Sequence, residues 1–426
     1  MGTLSKKKIA IVSKRCGFEQ RQSGKISAHA LVLSFMQMMV TGQTSYWSWA
    51  RSLSLLIVHT ISKQAIFYRM NTAWVSTVKA LVAEVIGQQA VKQIKHELFT
   101  GFTNVWLQDS TCIHLPDALN QKFKGSVVSG KQNSVAKLHV VVHALTGLCP
   151  LMEWGSYHIP EQTLASAIMG IAKAGDLVIR DLGYLVLREF TRMNQEGIFF
   201  LSRWKYKMLL FNPQTGEEID LLKTLEGKSY LDMQVLCGRT ERVKLRVVAI
   251  PLPPAQAEER RRKAKKDGKK KTNHNTEYYA LLGYVIFVTN VGEEVWNHQQ
   301  VAQAYRVRWN VEILFKSWKS GLHVERMIPD AKKHSNRIES ILYLLLLYVA
   351  WFQLLIYAPL NWRCRQKGKC LSVIQSAKWM LANTMRWIVG AITNSMEKEI
   401  FYYCCYDTRR KPNAIHRLEQ FTKPLT

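Results

Sequence analysis

The stretch from Tyr305 to Lys319 places one carboxylate among cations and a phenol at regular spacing. In a helix, which turns by about 100° per residue, the polar side chains of this stretch would share one face: Tyr305, Arg308, Glu312, Lys316 and Lys319. That face would cover roughly 60° of arc. A carboxylate flanked by Arg and Lys is suited to a divalent cation bound next to a phosphate.

The other side of the same predicted helix is apolar and carries Val307, Val311, Leu314, Phe315 and Trp318. An amphipathic helix normally buries such a side against a core and leaves its polar side accessible. The spacing therefore predicts a helix that is anchored by its apolar side and that presents the carboxylate and its basic neighbours.

Two aspartates stand where short apolar runs end. Asn104–Asp109 and Asp176–Asp181 are predicted strands, and a terminal aspartate would emerge at the end of a sheet. Carboxylates on rigid elements can hold two Mg²⁺ ions roughly 3.5–4 Å apart, which activate one oxygen and stabilise another in phosphodiester chemistry. For each aspartate alone, a turn or a helix cap is the alternative, and Asp117 and Asp176 are neighbouring alternatives for the site.

The order Tyr, two residues, Arg, three residues, Glu, six residues, Lys resembles the motif of transposases of the insertion-sequence 4 family. All four positions match within Tyr305–Lys319. The residues around Asp109 and the Asp-x-Gly-aromatic form at Asp181 resemble the first and second aspartate motifs of that family, and Ser202-Arg203-Trp204 is similar to the strand that follows them. The resemblance covers most of residues 104–325.

The resemblance implies a cut-and-paste enzyme with an Asp-Asp-Glu triad on a ribonuclease H-like core. The triad would be Asp109, Asp181 and Glu312, which would be catalytic and would hold two Mg²⁺ ions, with Mn²⁺ as a substitute. The residues expected to bind DNA beside the scissile phosphate are Tyr305, Arg308, Lys316, Lys319 and Arg203. Family members often flip a base onto an aromatic residue of the insertion, and the candidates here are Tyr284, Phe287 and Trp296.

The charge of the whole chain agrees with a polyanionic partner. Its 426 residues carry a formal net charge of +28 and the pI is about 9.8, which favours nucleic acid, with an anionic membrane as the alternative. Nine cations and one acid lie in the run Arg260–Lys271. This run, including Arg260, Arg261, Arg262 and Lys263, is a candidate contact with DNA, and a solvated loop or helix is the alternative.

Two further classes are disfavoured by the sequence. None of the eight cysteines forms a Cys-x-x-Cys pair, so a zinc site or a disulfide framework is not expected. Ile341–Ala358 is a long apolar stretch, but it contains Gln353 and has basic flanks on both sides. It is predicted to be a core helix rather than a membrane span, and the protein is expected in the prokaryotic cytoplasm, associated with the nucleoid.

The pattern of predicted elements gives an α/β fold. Residues 1–100 are predicted to be helical, 101–205 and 291–360 mixed α/β, and 206–290 β-rich. The resemblance implies that these segments are a DNA-binding domain, the two parts of a ribonuclease H-like core and an insertion within that core. Residues 361–426 are predicted to be a helical C-terminal region, with dimerisation as a candidate role. Within the core, the order of predicted elements is β, ββ, α, β, α, β. It includes a hairpin of Lys137–Leu145 with Cys149–Trp154 and a helix over Glu161–Ala174, and the insertion includes a predicted strand over Tyr278–Thr289.

The N-terminal segment holds a candidate helix-turn-helix. Predicted helices at Ala28–Met39 and Thr72–Gly87 flank the segment Ser62–Arg69, which suits a second helix whose early residues face a groove. Its candidate DNA-binding residues are Lys63, Gln64 and Arg69. An ordinary amphipathic helix of a basic protein is the alternative.

These observations predict a DNA transposase that binds the terminal inverted repeats of its element, nicks them by water attack and joins the freed 3′-hydroxyl to target DNA. A homodimer is expected in the synaptic complex, with double-stranded DNA as partner and no membrane. The alternatives are a metal-dependent nuclease on the same core without strand transfer, and an inactive DNA-binding derivative.

Overall fold

The structure is a computed structural model, and it describes residues 5–20, 26–88, 94, 96–271, 275–328, 335–389 and 394–406. The chain forms two compact units. The first unit comprises residues 1–95, 110–159 and 309–426, and the second comprises residues 96–109 and 160–308.

The helices of the described residues are, in chain order, α1 (Lys6–Arg15), α2 (Ala28–Thr41), α3 (Tyr46–Ile57), α4 (Lys63–Phe67), α5 (Thr72–Ile86), α6 (Glu161–Leu164), α7 (Leu187–Gln195), α8 (Leu221–Leu225), α9 (Pro254–Lys271), α10 (Thr276–Leu281), α11 (His298–Arg306), α12 (Trp309–Lys316), α13 (Ser335–Ala350), α14 (Ala358–Gln366), α15 (Val373–Ala382), α16 (Thr384–Val389) and α17 (Asn394–Tyr403). The strands are β1 (Val105–Leu115), β2 (Lys124–Val128), β3 (Lys131–His143), β4 (Leu151–Ser156), β5 (Leu177–Arg180), β6 (Phe199–Arg203), β7 (Leu210–Phe211), β8 (Leu231–Cys237), β9 (Val243–Pro251) and β10 (Tyr284–Thr289). The fold is therefore mixed α/β, as the sequence predicts.

In the first unit, four successive helices begin after a capping side chain. Ser27, Ser45, Ser62 and Asn71 each accept a hydrogen bond from a backbone N–H in the first turn of α2, α3, α4 and α5, which satisfies a donor that the helix cannot use. The predicted helices at Ala28–Met39 and Thr72–Gly87 are confirmed as α2 and α5. The predicted helix within Ser62–Arg69 is only the five residues of α4.

The long apolar stretch is a helix of the first unit. α13 continues through a π-helical segment, Trp351–Tyr357, into α14. Together they form Ser335–Gln366, the one helix among the described residues that is long and apolar enough to cross a membrane, and 83% of its most apolar window is buried inside the protein. Burial of this extent agrees with the prediction of a core helix.

The second unit holds a large mixed sheet. From β1 the order of its strands is β1-β5-β6-β10-β9-β8-β7. β1, β5 and β6 are parallel to each other, whereas β10, β9, β8 and β7 follow in antiparallel pairs. All residues of β5 are buried, as is usual for a parallel strand that is covered on both faces.

The first unit adds a hairpin beside the later part of β1. β3 is antiparallel to both β2 and β4 and is the neighbour of β1. The predicted hairpin of Lys137–Leu145 with Cys149–Trp154 is thereby confirmed. β1 itself does not end at Asp109 as predicted, because buried Ile113 and Leu115 alternate with exposed His114 and continue the strand pattern.

The helix predicted over Glu161–Ala174 is shorter than expected. α6 ends at Leu164, and Ala165–Gly170 forms a 3₁₀ helix. The side chains of Gln108 and Arg180 donate to the carbonyl oxygens of Leu164 and Ala165, at 2.9 and 2.8 Å. An α-helix needs those oxygens for its own N–H groups, so the two side chains compete with its continuation.

One prediction for residues 206–290 is also corrected. The predicted strand Tyr278–Thr289 begins only at Tyr284, because α10 occupies residues 276–281. The basic run Arg260–Lys271 is helical and lies within α9. Its many Lys and Arg residues have good helix propensity, which accounts for a helix in so polar a segment.

A buried carboxylate ties the N-terminal helices to the core of the first unit. Glu339 on α13 is 6% exposed. Its carboxylate pairs with Lys79 of α5, at 2.7 Å, and with Lys122. Burial raises the pKa of Glu339, but hydrogen bonds from Lys122 and Lys79, together with their charges, lower it by more, so the pKa lies below its usual value.

We predict that Glu339→Gln lowers the free energy of unfolding by roughly 1–3 kcal/mol at neutral pH, since both lysines keep partial access to water. A depressed pKa stabilises the fold above the unfolded-state pKa of the carboxyl group, and this contribution is lost as the pH falls through the folded-state value. The difference between wild type and variant should therefore shrink in acid. Urea denaturation at several pH values measures it, with Glu399→Gln, which breaks an exposed pair with Arg386, as the control.

Candidate active site

Asp109 and Asp181 are brought together by the register of two parallel strands. The pairing of β1 with β5 runs from Val105 and Leu177 to Gln108 and Arg180. The next residue of the chain is in each case the aspartate: Asp109 within β1, and Asp181 directly after the end of β5. Neighbouring strands are about 4.8 Å apart, so the two aspartates follow the last paired residues side by side.

Two buried polar residues hold this end of the paired strands. Gln108 and Arg180 are both fully buried, and they bind the carbonyl oxygens of Leu164 and Ala165. Burial lowers the pKa of Arg180 to about 9, so the guanidinium is charged at neutral pH. Sequence analysis missed this pair. Its signal is a polar residue directly before each aspartate at the end of an apolar run.

The guanidinium group of Arg308 lies between the two aspartates. Its Nη1 donates to Oδ2 of Asp109 at 3.0 Å, and its Nε is 3.8 Å from Oδ1 of Asp181. The side chains of Arg308 and Asp109 are only 11% and 14% exposed, whereas that of Asp181 is 41% exposed. One cation thus contacts both carboxylates in a largely desolvated position, and Asp181 is the one open to solvent.

Tyr305 completes this group of four residues. Its hydroxyl donates to Oδ1 of Asp181 at 3.5 Å, and its ring centroid is 5.9 Å from the guanidinium carbon of Arg308. Burial raises the pKa of Tyr305. The phenol therefore stays protonated at neutral pH and acts as a donor toward the carboxylate.

The single helix predicted for Tyr305–Lys319 is wrong, because the chain turns at residues 307 and 308. Tyr305 lies on α11, Arg308 in the turn and Glu312 on α12. The N–H groups of Val307 and Arg308 bind the carbonyl oxygens of the residues three positions before them, which tightens the backbone. The predicted apolar side is nevertheless buried at Val307, Val311, Leu314, Phe315 and Trp318.

Glu312 and the two lysines belong to the first unit. Glu312 is half-buried and Lys316 is exposed. Lys319 lies in a π-helical turn that follows α12, where its Nζ donates to the carbonyl oxygen of Cys112 on β1 at 2.6 Å and pairs with Glu325 at 3.1 Å. Lys319 therefore fixes the end of the glutamate-bearing segment to β1.

The loop before α11 is anchored by a buried arginine. Arg246 binds both carboxylate oxygens of Asp232 and donates to the carbonyl oxygens of Val291 and Trp296. α11 then begins with a capping box formed by Asn297 and Gln300. These contacts set the start of the helix that carries Tyr305.

The structure narrows the candidates for base stacking. Trp296 is 1% exposed, its Nε1 donates to the carbonyl oxygen of Leu98, and its ring packs against Phe99 and Phe102. Phe287 is also buried, with its ring 5.2 Å from that of Tyr305. Neither ring has a face open to a base, so the prediction of a base-stacking role is corrected for Trp296 and Phe287. Tyr284 is half-buried and stays a candidate.

Arg203 lies on the same unit as the aspartates. It is half-buried at the end of β6 and is paired across the sheet with Phe287 of β10. Because cross-strand partners share one face of a sheet, Arg203 is on the face where Phe287 contacts Tyr305. This position agrees with a role beside the site.

The cations of the basic run divide into two sets. Arg260 and Arg261 face the protein, where they donate to the carbonyl oxygens of Tyr284 and Tyr279, at 3.3 and 3.1 Å. Lys263 pairs with Glu259 on the same helix. The exposed cations of the described side chains are Arg262, Lys263, Lys265 and Lys266. Hence Arg260 and Arg261 have a structural role that the sequence did not indicate.

The candidate residues of the N-terminal segment are only partly accessible. Lys63 and Gln64 are exposed on α4. Arg69 follows the helix, is half-buried, and donates to the carbonyl oxygen of Ala65 at 2.9 Å. Burial lowers the pKa of Arg69. The first two residues therefore fit a surface contact better than the third.

Asp176, one of the alternatives for the site, is a structural residue. It is 1% exposed and accepts hydrogen bonds from the side chains of Asn104 and Trp106, at 2.8 and 2.9 Å, and from the N–H of Lys173 at 3.0 Å. Asp117 lies in a 3₁₀ turn of the first unit. Neither shares the register position of Asp109 and Asp181.

The carboxylates of Asp109 and Asp181 suit a hard divalent cation by their chemistry, since Mg²⁺ prefers oxygen ligands. Over the described ranges, however, no group of three or more His, Cys, Asp or Glu side chains is close enough together to hold a metal ion. Arg308 contacts both aspartates in this arrangement and occupies part of the space that such a cation needs.

Comparison with known proteins identifies relatives of the chain. A family model described as a transposase DDE domain matches residues 100–348. The chain is 25% identical over 305 residues to the transposase for insertion sequence element IS231F of Bacillus thuringiensis subsp. israelensis, covering 66% of this chain and 63% of that protein. It is also 25% identical over 354 residues to the IS231D transposase of Bacillus thuringiensis subsp. finitimus, covering 77% and 72%. A third relative is the IS1151 transposase of Clostridium perfringens, at 24% over 294 residues, covering 64% and 62%.

The chain therefore spans slightly less than two thirds of the first and third of these relatives. Among solved structures, it is similar to a piggyBac transposase in a synaptic complex with hairpin DNA, with a TM-score of 0.46 and 10% sequence identity, covering 95% of this chain and 83% of that one. A similarity at this level supports no conclusion about fold or function.

We predict that Asp176→Asn lowers the free energy of unfolding by roughly 2–3 kcal/mol, because it weakens charge-assisted hydrogen bonds in a buried position. Asp181→Asn should change stability by less than about 1 kcal/mol, since its carboxylate is partly solvated and its contacts are long. Guanidinium denaturation of both variants measures the difference. Equal losses would mean that Asp181 is as structural as Asp176.

Proposed function

The chain belongs to the transposase DDE domain family, because that family's model matches more than half of it, and on this premise we propose that the protein is a metal-dependent DNA transposase. It would cleave DNA at the terminal inverted repeats of an insertion sequence and transfer the freed 3′ ends to target DNA. The relatives named above are transposases of insertion sequences, which supports the predicted resemblance to the insertion-sequence 4 family.

The observation that carries this proposal is the register of β1 and β5. It sets Asp109 and Asp181 on adjacent parallel strands, one residue beyond the last pair. Two acids from separate predicted strands are thus neighbours, and one of them, Asp181, begins the Asp-x-Gly-aromatic motif. This arrangement supports a paired carboxylate site rather than two unrelated turn acids.

A ribonuclease H-like core is the fold that we propose for the catalytic part. The supporting pattern is β1 with a parallel neighbour β5 and then β6 on one edge, and the antiparallel hairpin of β3 and β4 on the other. The division at residues 100, 205, 290 and 360 into N-terminal, core, insertion and C-terminal segments remains a proposal as well.

We propose that Asp109, Asp181 and Glu312 hold two Mg²⁺ ions, for which Mn²⁺ can substitute. The ions, when bound, supply an activated water or 3′-hydroxyl and stabilise the leaving oxygen. Glu312 is the third carboxylate by the family motif. Lys319, which follows it in the same motif, binds the carbonyl oxygen of Cys112 within the first unit.

The cations near the site have the task of holding phosphates. Arg308 offers a planar fork that suits a phosphate oxygen pair, and Lys319 and Lys316 offer point charges. Tyr305 stays protonated and can donate to a phosphate oxygen. Arg203 extends the basic surface on the face of Phe287 and Tyr305, and Tyr284 is the candidate for a base-stacking contact.

The partner that we propose is double-stranded DNA, with a homodimer in the complex of two element ends. Lys63 and Gln64 on α4 are candidate contacts to the inverted repeat. A basic chain of this kind would act on DNA in the prokaryotic cytoplasm, associated with the nucleoid.

We predict that Asp109→Asn, Asp181→Asn and Glu312→Gln each abolish cleavage of an element-end duplex while leaving its affinity, measured without divalent cations, within about threefold, because affinity comes mainly from cations that contact phosphates. A cleavage assay with Mg²⁺ or Mn²⁺ and a gel-shift assay measure the two properties, and Asp176→Asn is the control for fold. Metal-dependent nicking that persists in one variant would remove that residue from the triad. Cleavage by wild type without strand transfer would favour the nuclease alternative.

We also predict that the exposed cations of α9 contribute to the salt dependence of DNA affinity. Replacing Arg262, Lys265 and Lys266 by Gln should flatten the slope of log affinity against log salt by about 0.9 for each phosphate that the protein no longer neutralises. The weakening should be nearly equal for all duplex sequences, since such contacts read phosphates and not bases. Neutralising three exposed lysines elsewhere in the unit, Lys223, Lys228 and Lys244, is the control. Equal effects in both triple variants would reflect net charge alone.

A further inference from the structure

We propose that Arg308 is an internal counter-ion that blocks metal binding until DNA arrives. In the free protein its guanidinium contacts Asp109 and Asp181 and offsets part of their charge. A DNA phosphate would draw the guanidinium away and leave both carboxylates to a divalent cation. DNA and metal would then bind cooperatively through one side chain. This inference rests on the proposed function.

Arg308 lies close enough to both aspartates to oppose a metal ion there. Its Nη1 is 3.0 Å from Asp109 Oδ2 and its Nε is 3.8 Å from Asp181 Oδ1. A cation bound by these carboxylates would lie within a few ångströms of the guanidinium. Two positive groups at that distance repel each other strongly, and the repulsion is weakly screened where Arg308 and Asp109 are shielded from water.

The surroundings of Arg308 would allow a phosphate to draw its side chain away from the aspartates. It lies in the turn between α11 and α12. To leave the aspartates its side chain must give up the hydrogen bond to Asp109, which a phosphate oxygen would replace. Its fork geometry suits phosphate as well as carboxylate. Asp181 is 41% exposed, so a ligand from solvent can reach this side of the ion pair, and Tyr305 remains a neutral donor to Asp181 when the guanidinium leaves.

The net charge of the two aspartates and Arg308 changes when the guanidinium leaves. With Arg308 in place, the two carboxylates and the guanidinium sum to one negative charge. When the guanidinium pairs with a phosphate, the carboxylates carry two negative charges and gain affinity for a divalent cation. By linkage, the cation must raise DNA affinity by the same factor as DNA raises cation affinity.

The test measures Mn²⁺ binding directly, from the electron paramagnetic resonance signal of the free ion, with full-length protein and without turnover. The proteins are wild type, Arg308→Gln, Arg308→Lys and the control Arg306→Gln, which removes an exposed charge two residues away. Each is titrated alone, with a duplex copied from one flank of the gene, and with an unrelated duplex. Binding by duplex alone is subtracted.

Without DNA, Arg308→Gln should bind Mn²⁺ about tenfold more tightly than wild type, a factor within the usual range of coupling. Arg306→Gln should differ by less than about twofold, because an exposed charge is screened. Arg308→Lys keeps a charge but loses the fork, and should lie between. The flanking duplex should tighten Mn²⁺ binding to wild type by a similar factor and should have little effect on Arg308→Gln.

Two results from the variants would overturn the proposal. One is equal Mn²⁺ affinity in Arg308→Gln and Arg306→Gln. The other is a duplex effect that persists in full without Arg308. The wild-type comparison with and without duplex needs no variant, and no duplex effect there would also overturn it, so misfolding of Arg308→Gln does not leave the idea untested.

The failure of this inference is distinguishable from failure of the proposed function. Asp109→Asn and Asp181→Asn, made in wild type and in Arg308→Gln, should each weaken Mn²⁺ binding. If they do so while Arg308→Gln matches wild type, the metal site stands and only the coupling is wrong. If they leave Mn²⁺ binding unchanged, the proposed metal site itself is wrong.

Discussion

The parallel pairing of β1 with β5 is the constraint on which the candidate site depends. Because the pairing ends at Gln108 and Arg180, Asp109, the next residue of β1, is placed beside Asp181, the residue that directly follows β5. Buried polar contacts from Gln108 and Arg180 then fix these strand ends to the segment that follows α6. The separation of the two aspartates is therefore set by backbone hydrogen bonds, which are far stiffer than a loop.

The price of bringing two carboxylates together is electrostatic repulsion, and the chain offsets it with its own cation. Arg308 reaches both aspartates from a turn, and Tyr305 adds a neutral donor. The same groups that would hold a phosphate in a complex with DNA thus stabilise the free protein. An arginine can bind carboxylate and phosphate with the same planar fork, so in the proposed complex the two would compete for Arg308.

Much of this arrangement was accessible from the sequence, because strong local patterns specify it. The apolar runs before Asp109 and Asp181 and the buried side of the Tyr305–Lys319 stretch follow from periodicity alone. The turn at residues 307 and 308 does not follow from periodicity, because two tighter backbone hydrogen bonds leave the helical spacing of the side chains almost unchanged. The early end of α6 was also hidden, because it depends on side chains from distant strands that take its carbonyl oxygens.

The continuity of β1 through Asp109 has a consequence for how this protein can diverge. Side chains on a strand alternate between the two faces, so the loss or gain of a single residue ahead of Asp109 would turn its carboxylate to the opposite face of the sheet. The later part of the strand, with Ile113 and Leu115 in the core, would be displaced as well. We expect functional copies of this protein to have no insertions or deletions in residues 105–115. By contrast, the loops between β7, β8 and β9 can change length without altering any register near the site.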